Sequence, residues 1–577
     1  MAKEAQARTS TQRPPPSGDV VDPGWHTDEA TPLEEYPRTP MTGWYDPRMM
    51  AATAIDIATS SLLGVRGDFR LLEALSAPQG VFDYSRDEEA ERTELWVDYV
   101  SDPGDGWNPT YAVASLLARP TLALGGATTR RGDVLIMGGD EVYPSASRDL
   151  YQKRLVRPYR SALRLQPGEK APDLFAVPGN HDWYDGLICF MRLFAQGRSI
   201  GAWRTRQTRS YFALKLPHGF WFFGTDFQLE SDIDRPQLEY FIEVVKQAQP
   251  GDCIVLATAE PVWVNARSHA DPLMQKHLAY FEARLKKANP GAQIVVRLAG
   301  DLHHYRRHAS RSGAQNFTSG GGGAFLHPTH GESVAVVQSG PLGKEEDYSL
   351  KCAFPSVEES RKMTWKNLLF IRHNGWFSLV TGFAYGLLSL SFTRPGPSAL
   401  FWIVMILLVF VAFTDTHKRW YKWFGGITHG LSHLTTALLC AHAANSLVER
   451  EKAHFLGGLP EVWSDLAQEF LTMLGAGIGG AIFGPLLMGL YLWGSLNVLK
   501  RHGNEAFSAL RIQDWKNFLR LHVEKDKLTL YPVGLRTVPR KWKLQEGAPP
   551  GQPLFVPGEG EALTPILIEE PVVIPRP

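Results

Sequence analysis

The sequence predicts an α/β domain followed by an α-helical transmembrane bundle, and three observations carry that reading. Between residues 91 and 345, short apolar runs alternate with helical stretches, the pattern of sheets covered by helices. Between residues 373 and 500, long stretches are almost free of charge. The chain of 577 residues is also too long for one hydrophobic core, so two or more modules are expected.

Residues 1–40 are polar and proline-rich, with Pro14-Pro15-Pro16, and read as a disordered tail lacking the apolar core of a secretion signal. Residues 41–90 read as a helical lead-in. Its apolar run from Met49 to Leu63 is short and carries Asp56, which fits a packed helix better than a membrane span. Leu95 to Val100 reads as a strand ending at Asp102, with Tyr111 to Leu117 helical behind it. Val134 to Met137 and Leu174 to Val177 are strand-like runs, each emptying into a glycine-bearing turn. Phe220 to Gly224, Cys253 to Ala257 and Ile294 to Ala299 continue the strands, with helices near Pro236 to Gln249 and Asp271 to Ala288. Residues 346–372 form a basic linker.

Four apolar stretches follow: Trp376 to Phe392, Ala399 to Thr414, Gly430 to Val448 and Phe470 to Leu499. Soluble core helices rarely run so far without a polar face, so four transmembrane helices are expected. Arg361, Lys362, Lys366 and Arg372 precede the first, Lys418, Arg419 and Lys422 follow the second, and Lys500 and Arg501 follow the fourth. The positive-inside rule then puts both termini and the α/β domain in the cytoplasm. Gly475-x-x-x-Gly479 and Gly480-x-x-x-Gly484 suit close helix packing. In the third stretch His429 and His433 share a helix face and suit hydrogen bonding between helices. Residues 501–577 read as a cytoplasmic C-terminal tail with one strand, Leu528 to Val533.

Sixty basic and sixty acidic residues cancel, so no polyanion partner and no nucleic-acid patch is implied. Cys189, Cys253, Cys352 and Cys440 are scattered without C-x-x-C spacing, which fits reduced thiols and excludes a cysteine-based zinc site.

The chemistry concentrates in V-L-I-M-G-G-D-E-V-Y-P and F-A-V-P-G-N-H-D-W-Y-D-G. Buried strands ending in such turns push Asp140, Asn180, His181 and Asp182 into one crevice. Carboxylate, carboxamide and imidazole together are ligands for a divalent metal, whereas either turn alone could equally be a helix N-cap. The later A-G-D-L-H-H-Y favours the metal reading.

In order and strand-end placement these motifs resemble the calcineurin-like metallophosphoesterases, over roughly residues 90–340. G-G-D ends at Asp140, Gly179-Asn180-His181-Asp182 matches G-N-H-D in full, and Gly300-Asp301-Leu302-His303 stands for G-H-x-H. The resemblance implies a four-layer α/β/β/α sandwich and hydrolysis of a phosphomonoester or phosphodiester by metal-activated water. It further implies Asp102, Asp140, Asn180, Asp301 and His303 as metal ligands, His181 as proton donor, and Asp182 as the group orienting His181. Gly104 and Ala259 stand where the family has histidines. The remaining oxygen-rich set favours Mn²⁺ or Mg²⁺, with Fe or Zn as alternatives. Asp105 and Glu260, beside those two departures, and His304, His327 and His330, around the Gly320 to Gly323 run, are further candidates. The expected function is a membrane-anchored phosphoesterase acting on a phosphorylated small molecule or lipid-derived substrate, with membrane lipid as neighbour. The alternative is a catalytically degenerate relative that binds or signals.

Overall fold

The computed structural model describes residues 33–52, 55, 79–87, 90–165, 168–227, 233–269, 272–331, 334–393, 397–414, 416 and 418–576. The expected disordered tail lies mostly outside the described residues, as does most of the helix expected from Met49 to Leu63.

Strands β1 (Leu95–Val100), β2 (Val134–Met137) and β3 (Asp173–Ala176) run parallel, with Val97 opposite Val134 and Ile136 opposite Phe175. Every residue of β1 and β2 is buried, which is why these strands read as continuous apolar runs and not as alternating ones. Helix α1 (Trp107–Ala118) covers their outer face with Tyr111, Leu116 and Leu117. A second sheet contains β4 (Phe220–Gly224), β5 (Cys253–Ala257), β6 (Gln293–Ala299), β7 (Tyr305–Ser310) and β8 (Gln315–Ser319). On the outside of this sheet, Phe241 and Phe281 of the helices Arg235–Val245 and Pro272–Ala288 pack on Trp221 and Leu256.

Among the described residues each sheet has nine strands. The inner faces meet in one apolar core that joins Val97, Tyr99 and Phe175 to Phe222, Val255 and Leu298. Helix, sheet, sheet and helix therefore stack as four layers.

The C-terminal residues correct the sequence reading. β9 (Lys516–Val523) pairs antiparallel with β1, Leu521 opposite Val97, and β10 (Lys527–Leu535) pairs with β9. Residues read as a separate tail thus supply two neighbouring strands of the first sheet. Arg520, fully buried, donates to Asp98 from Nε at 2.6 Å and from a terminal nitrogen at 3.1 Å, a cross-strand ion pair between residues 422 positions apart.

Four apolar helices intervene: α2 (Phe377–Thr393), α3 (Pro397–Phe413), α4 (Arg419–Phe455) and α5 (Glu461–Gly494). Among the described residues one helix, Glu461–Leu499, is long and apolar enough to cross a membrane. A second qualifies only if Val357–His373 and Phe377–Phe392, bent by 66°, act together. The expectation of four spans is corrected accordingly. α2 and α3 have 17 residues each, about 25 Å of helix against the ~30 Å of a hydrocarbon core. The uncharged middle of α4 is interrupted by His429, Ser432, His433 and His442. Large apolar side chains nevertheless face outward from all four, with Phe383 70%, Leu400 65%, Leu439 63% and Phe470 58% exposed. Both glycine pairs of α5 are packing faces: Gly475 and Gly479 abut Ala444 and Cys440 of α4, and Gly480 and Gly484 abut Thr381 of α2. His433 bonds Tyr385 of α2 at 2.9 Å, the expected hydrogen bonding between helices, and lies 3.2 Å from His429 of its own helix.

Candidate active site

The site forms where β1, β2, β3 and β6 end. Asp102, Asp140 and Asp301 all adopt left-handed backbone, with φ of 59°, 52° and 63°. Aspartate tolerates this region better than most residues, and three such turns side by side are a place where strain and function coincide. The Asp102 N–H donates to the Gly139 carbonyl at 2.9 Å, and the Asp301 N–H donates to the Asp102 carboxylate at 3.0 Å. Gly179 sits flat on Asp140, where any side chain would strike the carboxylate.

At the centre lies Tyr143, which sequence reasoning passed over; its signal is a tyrosine three residues after Asp140 in G-D-E-V-Y. Its hydroxyl is 2.7 Å from Asp102 Oδ1, 3.2 Å from Asp140 Oδ2 and 2.9 Å from His303 Nε2. His303 Nδ1 lies 2.7 Å from the Phe325 carbonyl, so Nδ1 carries the proton and Nε2 presents a lone pair. Burial lowers the His303 imidazole to about 3 and keeps it neutral. One phenolic proton therefore faces three acceptors.

The carboxylates are short of positive charge. Burial, opposed by hydrogen bonds from Tyr143 and Ser101, raises Asp102 to about 7. Burial and the Asp102 charge raise Asp301 to about 6. Burial with the charges of Asp102, Asp182 and Asp301 pushes Asp140 well above the ordinary range. An oxygen-rich acceptor set with one imidazole fits a divalent cation, which would satisfy the surplus acceptors and hold the carboxylates ionised. As placed, no three His, Cys, Asp or Glu side chains among the described residues stand close enough to hold a metal; the Tyr143 hydroxyl lies between Asp102, Asp140 and His303 instead.

His181 joins the cluster through its backbone N–H, which donates to Asp140 at 2.9 Å. Its Nδ1 donates to the Pro144 carbonyl at 2.6 Å, and burial lowers its pKa, leaving a neutral ring with a lone pair on Nε2. Asp182 does not orient it. That carboxylate accepts from Tyr151, from the Gly179 N–H at 2.9 Å and from the Glu141 N–H at 3.2 Å, and so braces the turn itself. The Asn180 carboxamide lies over Asp140; with its amide nitrogen turned that way it donates to Oδ2 at 3.0 Å. Trp44, from the segment read as a helical lead-in, packs edge-on against His181, Tyr143 and Phe325.

The further candidates separate. Asp105 accepts from the Thr42 N–H at 2.8 Å and the Phe325 N–H at 3.2 Å and pairs with Arg154 at 3.1 Å, so it holds loops together and does not replace a ligand. Glu260 accepts from Asn265 at 3.0 Å, and Asn265 reaches Asp301 at 3.4 Å, which puts Glu260 one side chain behind the cluster. His327 stacks on His303 with ring centres 3.9 Å apart. His304 and His330 turn to a neighbouring cavity. A side chain at Gly104 would land on the Glu141 carbonyl, so this backbone has no room for the family's histidine. Ala259, which stands at the other family histidine, faces Gly139. The Gly320 to Gly323 run packs on the ends of β1 and β9: the Gly322 N–H donates to the Ser101 carbonyl at 2.8 Å and Gly321 accepts from the Asn517 N–H at 3.0 Å.

No family model matches the chain, and no curated protein matches it. Among solved structures the chain is similar to GAP50, the anchor in the inner membrane complex of Plasmodium, at 12% identity and TM-score 0.30, over 46% of this chain and 81% of that one. It is also similar to a purple acid phosphatase from yellow lupin (Lupinus luteus) seeds, at 11% identity and TM-score 0.28, over 46% of this chain and 50% of that one. A third similar structure is PhoD, at 12% identity and TM-score 0.27, over 41% of this chain and 58% of that one. At these scores the similarities carry no argument, and the reading of the site rests on its own geometry.

Proposed function

We propose that the chain is a metal-dependent phosphoesterase of the calcineurin-like type, held at a membrane by its apolar helices. The observation that carries this reading is the set of three acceptors, Asp102, Asp140 and His303, gathered at strand ends around a single phenolic proton. A divalent cation bound there, Mn²⁺ or Mg²⁺ by its oxygen-rich donors, would supply Lewis-acid activation of water and of the phosphate oxygens. Asp102, Asp140, Asp301 and His303, with Tyr143, would hold it by drawing closer together than they stand without metal. Asn180 shapes the Asp140 side of the crevice, and Asp182 fixes the G-N-H-D turn through Tyr151. His181, locked by Pro144 and backed by Trp44 and Tyr143, presents Nε2 to whatever enters. Once protonated at that atom, it can deliver the proton to a departing alkoxide.

The outward-facing aromatic and aliphatic residues of α2 to α5 support the membrane attachment, and the lysines and arginines around them support a cytoplasmic head. The test is hydrolysis of an aryl phosphomonoester and an aryl phosphodiester by the detergent-purified chain, stripped of metal and reloaded with Mn²⁺, Mg²⁺ or Zn²⁺. Turnover that returns with one ion and falls roughly a hundredfold or more in Asp140→Asn supports the reading. A folded chain that hydrolyses neither ester with any ion would sink it and leave the binding alternative, for which Gly104 and Ala259 already speak.

A further inference from the structure

Beside the carboxylate cluster a cavity of about 330 Å³ opens between the α/β head and the end of the last apolar helix. Arg306, His304 and His330 line it from the head, and Lys500, Arg501 and His502 line it from the chain that leaves the helix. Its polar side chains are predominantly basic, and Arg306, His304 and His330 each carry a buried nitrogen with no hydrogen-bond partner among the described residues.

Arg306 is 5% exposed; it donates to the Thr329 carbonyl at 2.7 Å, and its Nε has no partner. Burial lowers the guanidinium to about 10, and no carboxylate among the described residues raises it. His304 is 1% exposed, and although the His327 backbone lies beside it, neither ring nitrogen is in hydrogen-bonding geometry with any group among the described residues. His330, 3% exposed, meets Ser360 Oγ through Nδ1 at 2.7 Å, and its Nε2 has no partner. Ser360 Oγ also accepts the Thr329 N–H at 3.0 Å; in the tautomer in which its hydroxyl donates to Nδ1, Nε2 is a donor facing the cavity. Among the described residues the two carboxylates on the wall face other groups: Asp301 accepts from Asn265 at 3.4 Å, and Glu505 lies 3.1 Å from His502.

A buried guanidinium without a counter-charge is costly, and an anion with several oxygens relieves that cost by accepting from guanidinium and imidazole together. The volume lies at the lower end of small-ligand sites, larger than a halide or a few waters need. We propose that this cavity binds a phosphate-bearing anion through Arg306, His304 and His330, with Lys500 completing the cationic wall. The position at the end of the apolar helix makes a membrane phospholipid head group one source and a soluble phosphate compound the other. The site stands whether or not the carboxylate cluster turns over a substrate.

The test therefore reads binding, on the full-length Asp140→Asn chain in detergent with a chelator present, so that neither hydrolysis nor a bound metal contributes. The probes are inorganic phosphate, and phosphatidate or phosphatidylcholine added to the micelle; the readouts are the thermal unfolding midpoint and the dissociation constant. Phosphate or phosphatidate should stabilise the chain, phosphatidylcholine should not, and Arg306→Gln should weaken the binding at least about tenfold. Should Arg306→Gln fail to fold, Lys500→Gln and His330→Asn carry the same comparison. A response to phosphate alone assigns a soluble ligand, and one to phosphatidate alone assigns the lipid head group. No response to either probe, or responses unchanged in all three variants, would overturn the proposal.

Discussion

Tyr143 shows how one residue can settle the electrostatics of a site. Its hydroxyl is the shared donor of Asp102, Asp140 and His303, and its buried surroundings and the nearby carboxylates hold its own pKa well above the ordinary phenol value. Tyr143→Phe leaves the ring packing and removes that oxygen, so Mn²⁺ affinity should fall roughly 10- to 100-fold, read by titration calorimetry, with little change in folding. The raised carboxylates give a second prediction. Asp102 and Asp301 have folded values near 7 and 6, above the ordinary 3.8, so the metal-free fold binds protons that the unfolded chain has released. Its stability should fall as pH rises between about 4 and 7, while stabilisation by Mn²⁺ should grow over the same window as the carboxylates ionise. Thermal unfolding with chelator and with Mn²⁺ reads both slopes; a metal-free midpoint that rises over this range would contradict the assignment. Asp140, Asn180, His181 and Asp182 were legible in the sequence because each sits in a contiguous strand–turn signal. The role of Asp182 was not, because its partner Tyr151 lies 31 positions away. Nor was that of Asp105, which meets Arg154 only in the folded chain.

At the scale of elements, apolar runs located the strands well: Leu95–Val100, Val134–Met137, Phe220–Gly224 and Cys253–Ala257 fold as read, since short β-rich runs bounded by glycine or aspartate leave little choice. Strand neighbours were not legible, because pairing is decided by tertiary contact. Nothing in Lys516–Val523 announces β1 as its partner, and the charged Arg520 is accommodated in a buried strand by Asp98 standing opposite it. Arg520→Ala strips the partner from a buried carboxylate and should cost about 3–5 kcal/mol, measured by chemical unfolding of the detergent-solubilised chain. Asp98→Asn combined with Arg520→Leu, which removes both charges, should recover part of that loss. The helices were found where hydrocarbon dominates the sequence. Their number as spans was misjudged because length and polar interruption, and not absence of charge alone, decide what crosses a bilayer.

At the scale of the whole molecule, the exposed belt on α2 to α5 predicts that the chain stays with the membrane fraction through alkaline carbonate extraction. Release into the supernatant would show that the belt packs on protein and not on lipid. Proteolysis of sealed vesicles tests the orientation: the α/β head should be cleaved from the cytoplasmic side and protected from the other. The order of the chain has a last consequence, for biosynthesis. The strand beside β1 is encoded after every apolar helix, so a ribosome has delivered the hydrophobic segment before the first sheet can close. Until then the inner edge of β1 is an open template that needs shielding, and nascent chains stalled short of Lys516 should be handled as unfinished protein. Completion of the head thereby becomes contingent on synthesis of the apolar helices: the fold itself delays closure of the first sheet until they have been made.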